Sequence, residues 1–348
     1  MKKKYFFFLS LILVFCSCNK TETSNIHPDV DVYIVGTGTI NTIPPTGVAR
    51  YWKNNMTFNL PSSSVGYLGQ VSESASGITM SGNDLYICGT GLAGRNFTSG
   101  ANYIAKYWKN GISVNLTDGS TIAQATSIAA SGTDVYVAGI ETTSDLRRTI
   151  GKYWKNGVEV LFFSDSARYV YPTSIGVSGT DVYVSGTLPD TAVGKLIAMY
   201  WKNGVPVRVS DGSADAQANS IVLDGSDIYV AGNDGNRAVY WKNQVPVYLT
   251  DGVMPASARS IAISGNDVCV AGNIGTLAKY WKNEIPATVG DSTYLSGIAV
   301  AGGNVYVIGN DHHQFQTSYS AYWINNMPAM IFDTRSYSTT SGILVIPH

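Results

Sequence analysis

The 348-residue chain carries 23 lysines and arginines against 24 aspartates and glutamates, a formal net charge of -1, so nucleic acid is not an expected partner. With 45% hydrophobic and only 14% charged residues it can bury a large core. Its 36 glycines and 22 tyrosines, among many valines, isoleucines and threonines, favour strands and tight turns over helices.

The first residues, MKKKYFFFLSLILVFCSC, join a three-lysine head to an apolar run from Tyr5 to Phe15, too short to span a bilayer comfortably and typical of an export signal. The stretch Phe15-Cys16-Ser17-Cys18 resembles the bacterial lipobox, although Phe15 stands where that motif usually has leucine. The resemblance implies removal of residues 1–17, lipidation of Cys18, and a cell-envelope location with the outer membrane expected; an ordinary secretory signal is the alternative. Acyl chains on Cys18 would supply the hydrophobic signals that stable anchoring needs. Residues 18–28 read as a polar tether, and contact with the membrane is expected through this anchor only.

Beyond the tether, three phrases repeat in step. "DVYIVG" at Asp31 returns as "DLYICG" at Asp84, "DVYVAG" at Asp134 and four further variants. All seven tryptophans follow a tyrosine, at Trp52, Trp108, Trp154, Trp201, Trp241, Trp281 and Trp323. A phrase centred on Ile78, Ile128, Ile175, Ile221, Ile261 and Ile298 precedes the "DVYVAG" type, and its seventh copy lies at the far end, around Ile343. Each unit therefore reads as four strands: A, "SIAxSG"; B, "DVYVAG"; C, "AxYWKNG"; D, "VPVxLTDG". Four strands at a period of about 40 to 45 residues predict an all-β, seven-bladed β-propeller of antiparallel blades over residues 29–348. Three N-terminal strands plus the C-terminal strand complete the first blade and close the ring.

The A-to-B and C-to-D connections are short and repeat, so they share one end of every blade. The B-to-C and D-to-A connections vary and share the other end, where recognition is expected. At this point the chain resembles bacterial seven-bladed β-propeller repeat proteins, which carry a similar "A-x-x-I-A-V-x-x-x-G-x-V-Y-V-x-G" phrase. The resemblance implies the fold and leaves the function open, since propellers host binding, scaffolding and catalysis alike. The Tyr-Trp pair is also similar to that of the YWTD propellers, but Lys-Asn replaces Thr-Asp and nothing is carried over from them.

Repetition makes the Tyr-Trp pairs packing residues at blade contacts rather than seven binding sites. The aspartates opening strand B are expected to accept backbone N–H bonds, and the lysine that follows six of the seven tryptophans, Ile324 replacing it in the last, to solubilise an outer edge. Asp118, Asp165, Asp211, Asp251, Asp291 and Asp333 end strand D and could ligate calcium or close Asx turns. Cys88 and Cys269 are read as small buried hydrophobes without a disulfide, and no cofactor or structural metal is expected.

One residue before the strand A phrase is polar in every unit: Ser76, Thr126, Thr173, Asn219, Arg259, Ser296 and Ser341. These would form a collar at the mouth of the central channel. Arg259, together with Arg147, Arg148, Arg168, Tyr169, Tyr171, His312 and His313 on the long loops, makes the set of ligand-binding candidates. The inner strands supply no nucleophile with its base and no carboxylate pair, so no catalytic residue is assigned. The expected function is non-enzymatic recognition of a protein or glycan through the variable face; a polysaccharide hydrolase or lyase with its site in the central funnel is the alternative.

Overall fold

The computed structural model describes residues 29–40, 46–62, 72–96, 100–143, 148–163, 169–291, 293–311, 319–332 and 338–348. They form seven four-stranded antiparallel sheets. Blade 1 holds β1 (Val30–Ile40), β2 (Thr46–Lys53) and β3 (Met56–Asn59), and blade 2 holds β4 (Glu73–Ser81), β5 (Asp84–Asn96), β6 (Gly100–Lys109) and β7 (Ile112–Asn115). Blade 3 is β8 (Ala123–Ser131), β9 (Asp134–Thr142), β10 (Thr149–Lys155) and β11 (Val158–Phe163); blade 4 is β12 (Tyr171–Ser178), β13 (Asp181–Asp190), β14 (Lys195–Lys202) and β15 (Val205–Arg208). Blade 5 is β16 (Ala216–Asp224), β17 (Asp227–Asp234), β18 (Arg237–Lys242) and β19 (Val245–Tyr248); blade 6 is β20 (Ala256–Ser264), β21 (Asp267–Ile274), β22 (Leu277–Lys282) and β23 (Ile285–Gly290). Blade 7 is β24 (Thr293–Ala301), β25 (Asn304–Asp311), β26 (Tyr319–Ile324) and β27 (Met327–Phe332), and β28 (Ser338–Pro347) pairs with β1 as the innermost strand of blade 1. The four-strand unit and the closure read from the sequence are those of the structure. No helix among the described residues is long and apolar enough to cross a membrane.

One four-stranded sheet cannot cover its own faces, so the core lies between blades. Trp108 packs on Val35 and Ala49 of blade 1, Trp154 on Tyr86 and Ala105 of blade 2, and Trp201 on Tyr136 and Phe162 of blade 3. Trp52 packs in the same way on Tyr306 and Tyr322 of blade 7, across the closure. The seven indoles are 0–5% exposed, which makes each one a spacer between neighbouring sheets.

The rest of the "AxYWKNG" phrase builds the tight-turn face. Its asparagine takes a left-handed backbone, as at Asn110 (φ 50°) and Asn203 (φ 50°), a conformation this residue tolerates. The Asn110 Oδ1 accepts the Leu85 N–H at 2.9 Å, and its Nδ2 donates to Asp84 Oδ1 at 2.7 Å. Lys109 Nζ lies 2.7 Å from Asp84 Oδ2 and 5.3 Å from the Tyr86 ring centroid. The same Asp-Lys-Asn arrangement recurs in blades 1 to 6, with Lys–Asp distances of 2.7–2.8 Å. This corrects two expectations. The strand-opening aspartates accept from the turn asparagine and the lysine rather than from backbone, and the lysines are ion-paired. The residue after each turn is aliphatic and exposed: Met56, Ile112, Val158, Val205, Val245, Ile285 and Met327 are 63–73% exposed. Cys88 and Cys269 are buried free thiols, and burial pushes the Cys88 thiol up to about 12.

Candidate functional site

In every blade the ladder between the innermost strand and its neighbour slips by one residue at the same level. The slips fall between Ala75 and Gly77, Ala125 and Ser127, Pro172 and Ser174, Ala218 and Ser220, Ala258 and Ser260, and Leu295 and Gly297. In blade 1 the slip leaves Ser341 without a partner. The seven extra residues are the collar: Ser76, Thr126, Thr173, Asn219, Arg259, Ser296 and Ser341. A β-bulge re-aims the side chain of its extra residue, which is how one position per blade turns towards the axis.

The bulge requires glycine opposite. A Cβ on Gly89 would stand 1.9 Å from the Ser74 carbonyl oxygen, and one on Gly232 would stand 1.8 Å from that of Gln217. The last residue of each "DVYVAG" phrase is therefore the partner of the collar. It lets the inner strand approach while carrying an extra residue.

Much of the collar's hydrogen-bonding capacity is used between blades. Ser76 Oγ donates to the Ala125 carbonyl at 2.6 Å, Thr173 Oγ1 to that of Ala218 at 2.9 Å, Asn219 Nδ2 to that of Ala258 at 2.7 Å, and Ser341 Oγ to that of Ala75 at 2.6 Å. Ser296 Oγ meets Thr340 Oγ1 at 3.0 Å, so five blade junctions are closed by collar side chains. Thr126 Oγ1 instead bonds to the Ala138 carbonyl of its own blade at 3.2 Å. Arg259 is exposed and has no hydrogen-bond or ion-pair partner among the described residues. The collar is thus a ring of five hydroxyls and one amide held by hydrogen bonds, with the Arg259 guanidinium free.

The collar and the small residues that follow it, such as Gly77, Ser127, Ser220 and Gly342, line an axial cavity of about 230 Å³. It opens on the variable face into a mouth of about 590 Å³ bounded by Arg259, Asn219, Pro172, Tyr294, Asn310 and Thr340. A side recess of about 420 Å³ runs between blades 2 and 3, walled by Ser74, Thr90, Tyr103 and Gln124. No carboxylate, histidine or cysteine lines these spaces among the described residues. Glu73, three residues before Ser76, is buried and salt-bridged to Lys106 Nζ at 2.6 Å.

The candidates divide. The seven collar positions, including Arg259, come together in one cavity. Tyr171, two residues before Thr173 on β12, is half exposed at the same level of its strand as Tyr294 on β24, and Tyr169 is exposed just before β12. Arg148 sits in the β9–β10 connection, where its N–H donates to Thr143 Oγ1, and it does not line the funnel. Arg147, Arg168, His312, His313 and Cys18 lie outside the described residues. Tyr294, Tyr103 and Gln124 were not singled out by the sequence; counting back two residues from each collar position would have found Tyr294 and Gln124. Of the calcium candidates, Asp118, Asp211 and Asp251 close Asx turns, accepting the N–H two residues on at 2.8, 2.8 and 3.0 Å. No group of three metal-ligating side chains occurs among the described residues, and Asp165 and Asp333 lie outside them.

No family model and no curated protein matches the chain. Among solved structures it is similar to a puromycin-hydrolyzing peptidase of Mycobacterium tuberculosis, with a TM-score of 0.53 and 9% identity over 85% of this chain and 52% of that one. It is also similar to a prolyl endopeptidase, with a TM-score of 0.47 and 14% identity over 76% of this chain and 43% of that one. The polysaccharide lyase Uly1 aligns with a TM-score of 0.49 and 12% identity over 84% of this chain and 87% of that one. The chain spans about half the length of the two peptidases, and at these identities the likeness shows the propeller fold alone.

Proposed function

We propose that the chain is a non-enzymatic binding protein of the bacterial cell envelope that takes a glycan with an acidic group into the funnel of its variable face. The observation that supports this reading is the lining of the funnel: hydroxyls, amides and Tyr294 around the Arg259 guanidinium, with no carboxylate in the described lining. Hydroxyls and amides both give and accept hydrogen bonds, which suits the hydroxyl-rich edge of a sugar. Tyr294 and Tyr103 offer ring surface to the apolar face of a pyranose, and Arg259 can hold a carboxylate through two parallel N–H bonds. Hydrolysis at a glycosidic bond would need a carboxyl acid paired with a carboxylate, and no carboxylate lines the described part of the funnel; Tyr294 is the one group there that could pass a proton, with no second acid or base beside it in that lining. In this reading the export signal and Cys18 place the propeller on the envelope, where such polymers occur.

The test is an array of acidic and neutral oligosaccharides probed with the full chain, followed by size analysis of every bound glycan after prolonged incubation. Retention of uronic-acid oligosaccharides at unchanged length is expected. Shortened or unsaturated products would replace the proposal with the polysaccharide-active reading, and retention of proteins but no glycans would replace the ligand class.

A further inference from the structure

The face opposite the funnel carries an aliphatic side chain at the first residue of every outermost strand, each 63–73% exposed. Nothing inside the blade calls for this. The neighbouring turn residues are polar, and the outermost strand points this residue away from the core, as the exposed start of β15 shows. One such side chain is ordinary on a protein surface, but the repeat sets seven of them on the same face, one per blade, where they can act together on a flat apolar partner.

The place where the chain enters the ring indicates what covers it. Asp29 and His348 are joined by a hydrogen bond of 3.0 Å from the His348 N–H to the Asp29 carbonyl. They stand where blade 1 would otherwise have its tight A-to-B turn, so the N-terminal segment leaves from the aliphatic face. Whatever its conformation, the chain from Cys18 to Asp29 cannot reach further than about 40 Å. An anchor at Cys18 would therefore hold this face, and not the funnel, against the bilayer.

We infer that the tight-turn face is a membrane-docking surface whose seven aliphatic side chains enter the interfacial layer of the bilayer that holds the N-terminal segment. The inference rests on the envelope-anchored reading for the bilayer's proximity and on the exposed ring for the contact. The six lysines of this face are each matched by an aspartate at 2.7–2.8 Å, and the tight turns add the exposed acids Asp224 and Glu284, so the face has no excess positive charge to draw it to anionic lipid. Docking is consequently apolar in origin, and zwitterionic vesicles serve as well as anionic ones. The funnel is left facing away from the membrane.

The experiment uses the full chain with phosphatidylcholine vesicles containing brominated lipid, and two single-tryptophan additions: Val205→Trp on the aliphatic face and Val253→Trp on the variable face, where Val253 is 81% exposed. Vesicles should quench the added Val205→Trp emission and leave the Val253→Trp emission unchanged, equally with and without phosphatidylglycerol. The triple variant Ile112→Ser, Val205→Ser, Ile285→Ser should weaken vesicle partition of the Cys18→Ala chain by about tenfold or more. A vesicle-bound chain in which neither added tryptophan is quenched overturns the docking and leaves the anchor standing. Undiminished vesicle association after Cys18→Ala, with Val205→Trp still quenched, overturns the anchor and leaves the docking. Burial of the face in a protein dimer in the absence of lipid, seen by sedimentation, would assign it to a second copy instead.

Discussion

Replacing Gly232 by alanine tests the link between the repeat phrase and the collar. The new methyl carbon would sit 1.8 Å from the Gln217 carbonyl oxygen and 3.1 Å from Trp241 Cζ3, against an ordinary contact near 3.4–4 Å. About 1.5 Å of separation must open, and the obstacle is backbone held in the ladder by Gln217↔Asn233 pairing. Overpacking of this kind costs about 1–3 kcal/mol. Displacing β16 would also break the Asn219 Nδ2 bond to the Ala258 carbonyl in blade 6, a further loss of about 1 kcal/mol. Gly82→Ala is the control, because its backbone is left-handed (φ +57°) with nothing within 4 Å of an added methyl, and conformation alone costs about 1 kcal/mol. Urea unfolding followed by tryptophan fluorescence should place Gly232→Ala about 3 kcal/mol or more below the parent and clearly below Gly82→Ala. A Gly232→Ala chain as stable as Gly82→Ala would refute the claim that this glycine makes room for the bulge.

Three further outcomes follow from the packing and the charges. Glu73→Ala leaves the Lys106 ammonium, 0% exposed, without its carboxylate and should cost about 3–5 kcal/mol in urea unfolding, whereas Glu73→Leu with Lys106→Met should recover most of that; equal losses in both would contradict a buried charge pair. The carboxyls of Asp84, Asp134, Asp181, Asp227 and Asp267 are held below their ordinary value of 3.8, first by the lysine and then by the turn asparagine. A depressed carboxylate stabilises the fold above that value and stops doing so as the pH falls below it, so thermal stability should be flat from pH 7 to 5 and decline below pH 4, with the five Asp→Asn changes flattening the decline. Deleting residues 338–348 removes the innermost strand of blade 1 and uncovers β1, so cooperative melting should be lost; a truncated chain that melts like the parent would contradict ring closure.

Counting repeats made the architecture legible because a propeller writes the same short strands seven times, and the closure followed from an unmatched strand at each end. The collar positions were legible for the same reason. Their cause was not: a bulge is a mismatch between two strands, and the glycine that permits it lies about 13 residues away from the residue it frees, as Gly232 does from Asn219. The strand-opening aspartates were misread because Asp84 and Asn110 meet only after β5 and β6 have paired. Tyr294 reaches the mouth from the position two residues before the collar, which only blade 4 also fills with tyrosine (Tyr171), and Tyr103 walls the side recess from a position where no other blade has one, so the repeat phrases marked neither.

The function of the propeller rests on what its funnel binds. Isothermal titration of the full chain with a uronic-acid oligosaccharide and with its neutral counterpart, repeated for Arg259→Ala and Arg259→Lys, tests this most directly. The predicted result is binding of the acidic ligand that weakens by tenfold or more in Arg259→Ala, roughly the contribution of one charge-assisted bidentate contact, and is only partly restored by lysine, which cannot form that fork. Equal affinity for acidic and neutral ligands, or an Arg259→Ala chain that binds as the parent does, would contradict the assignment of the collar as the site.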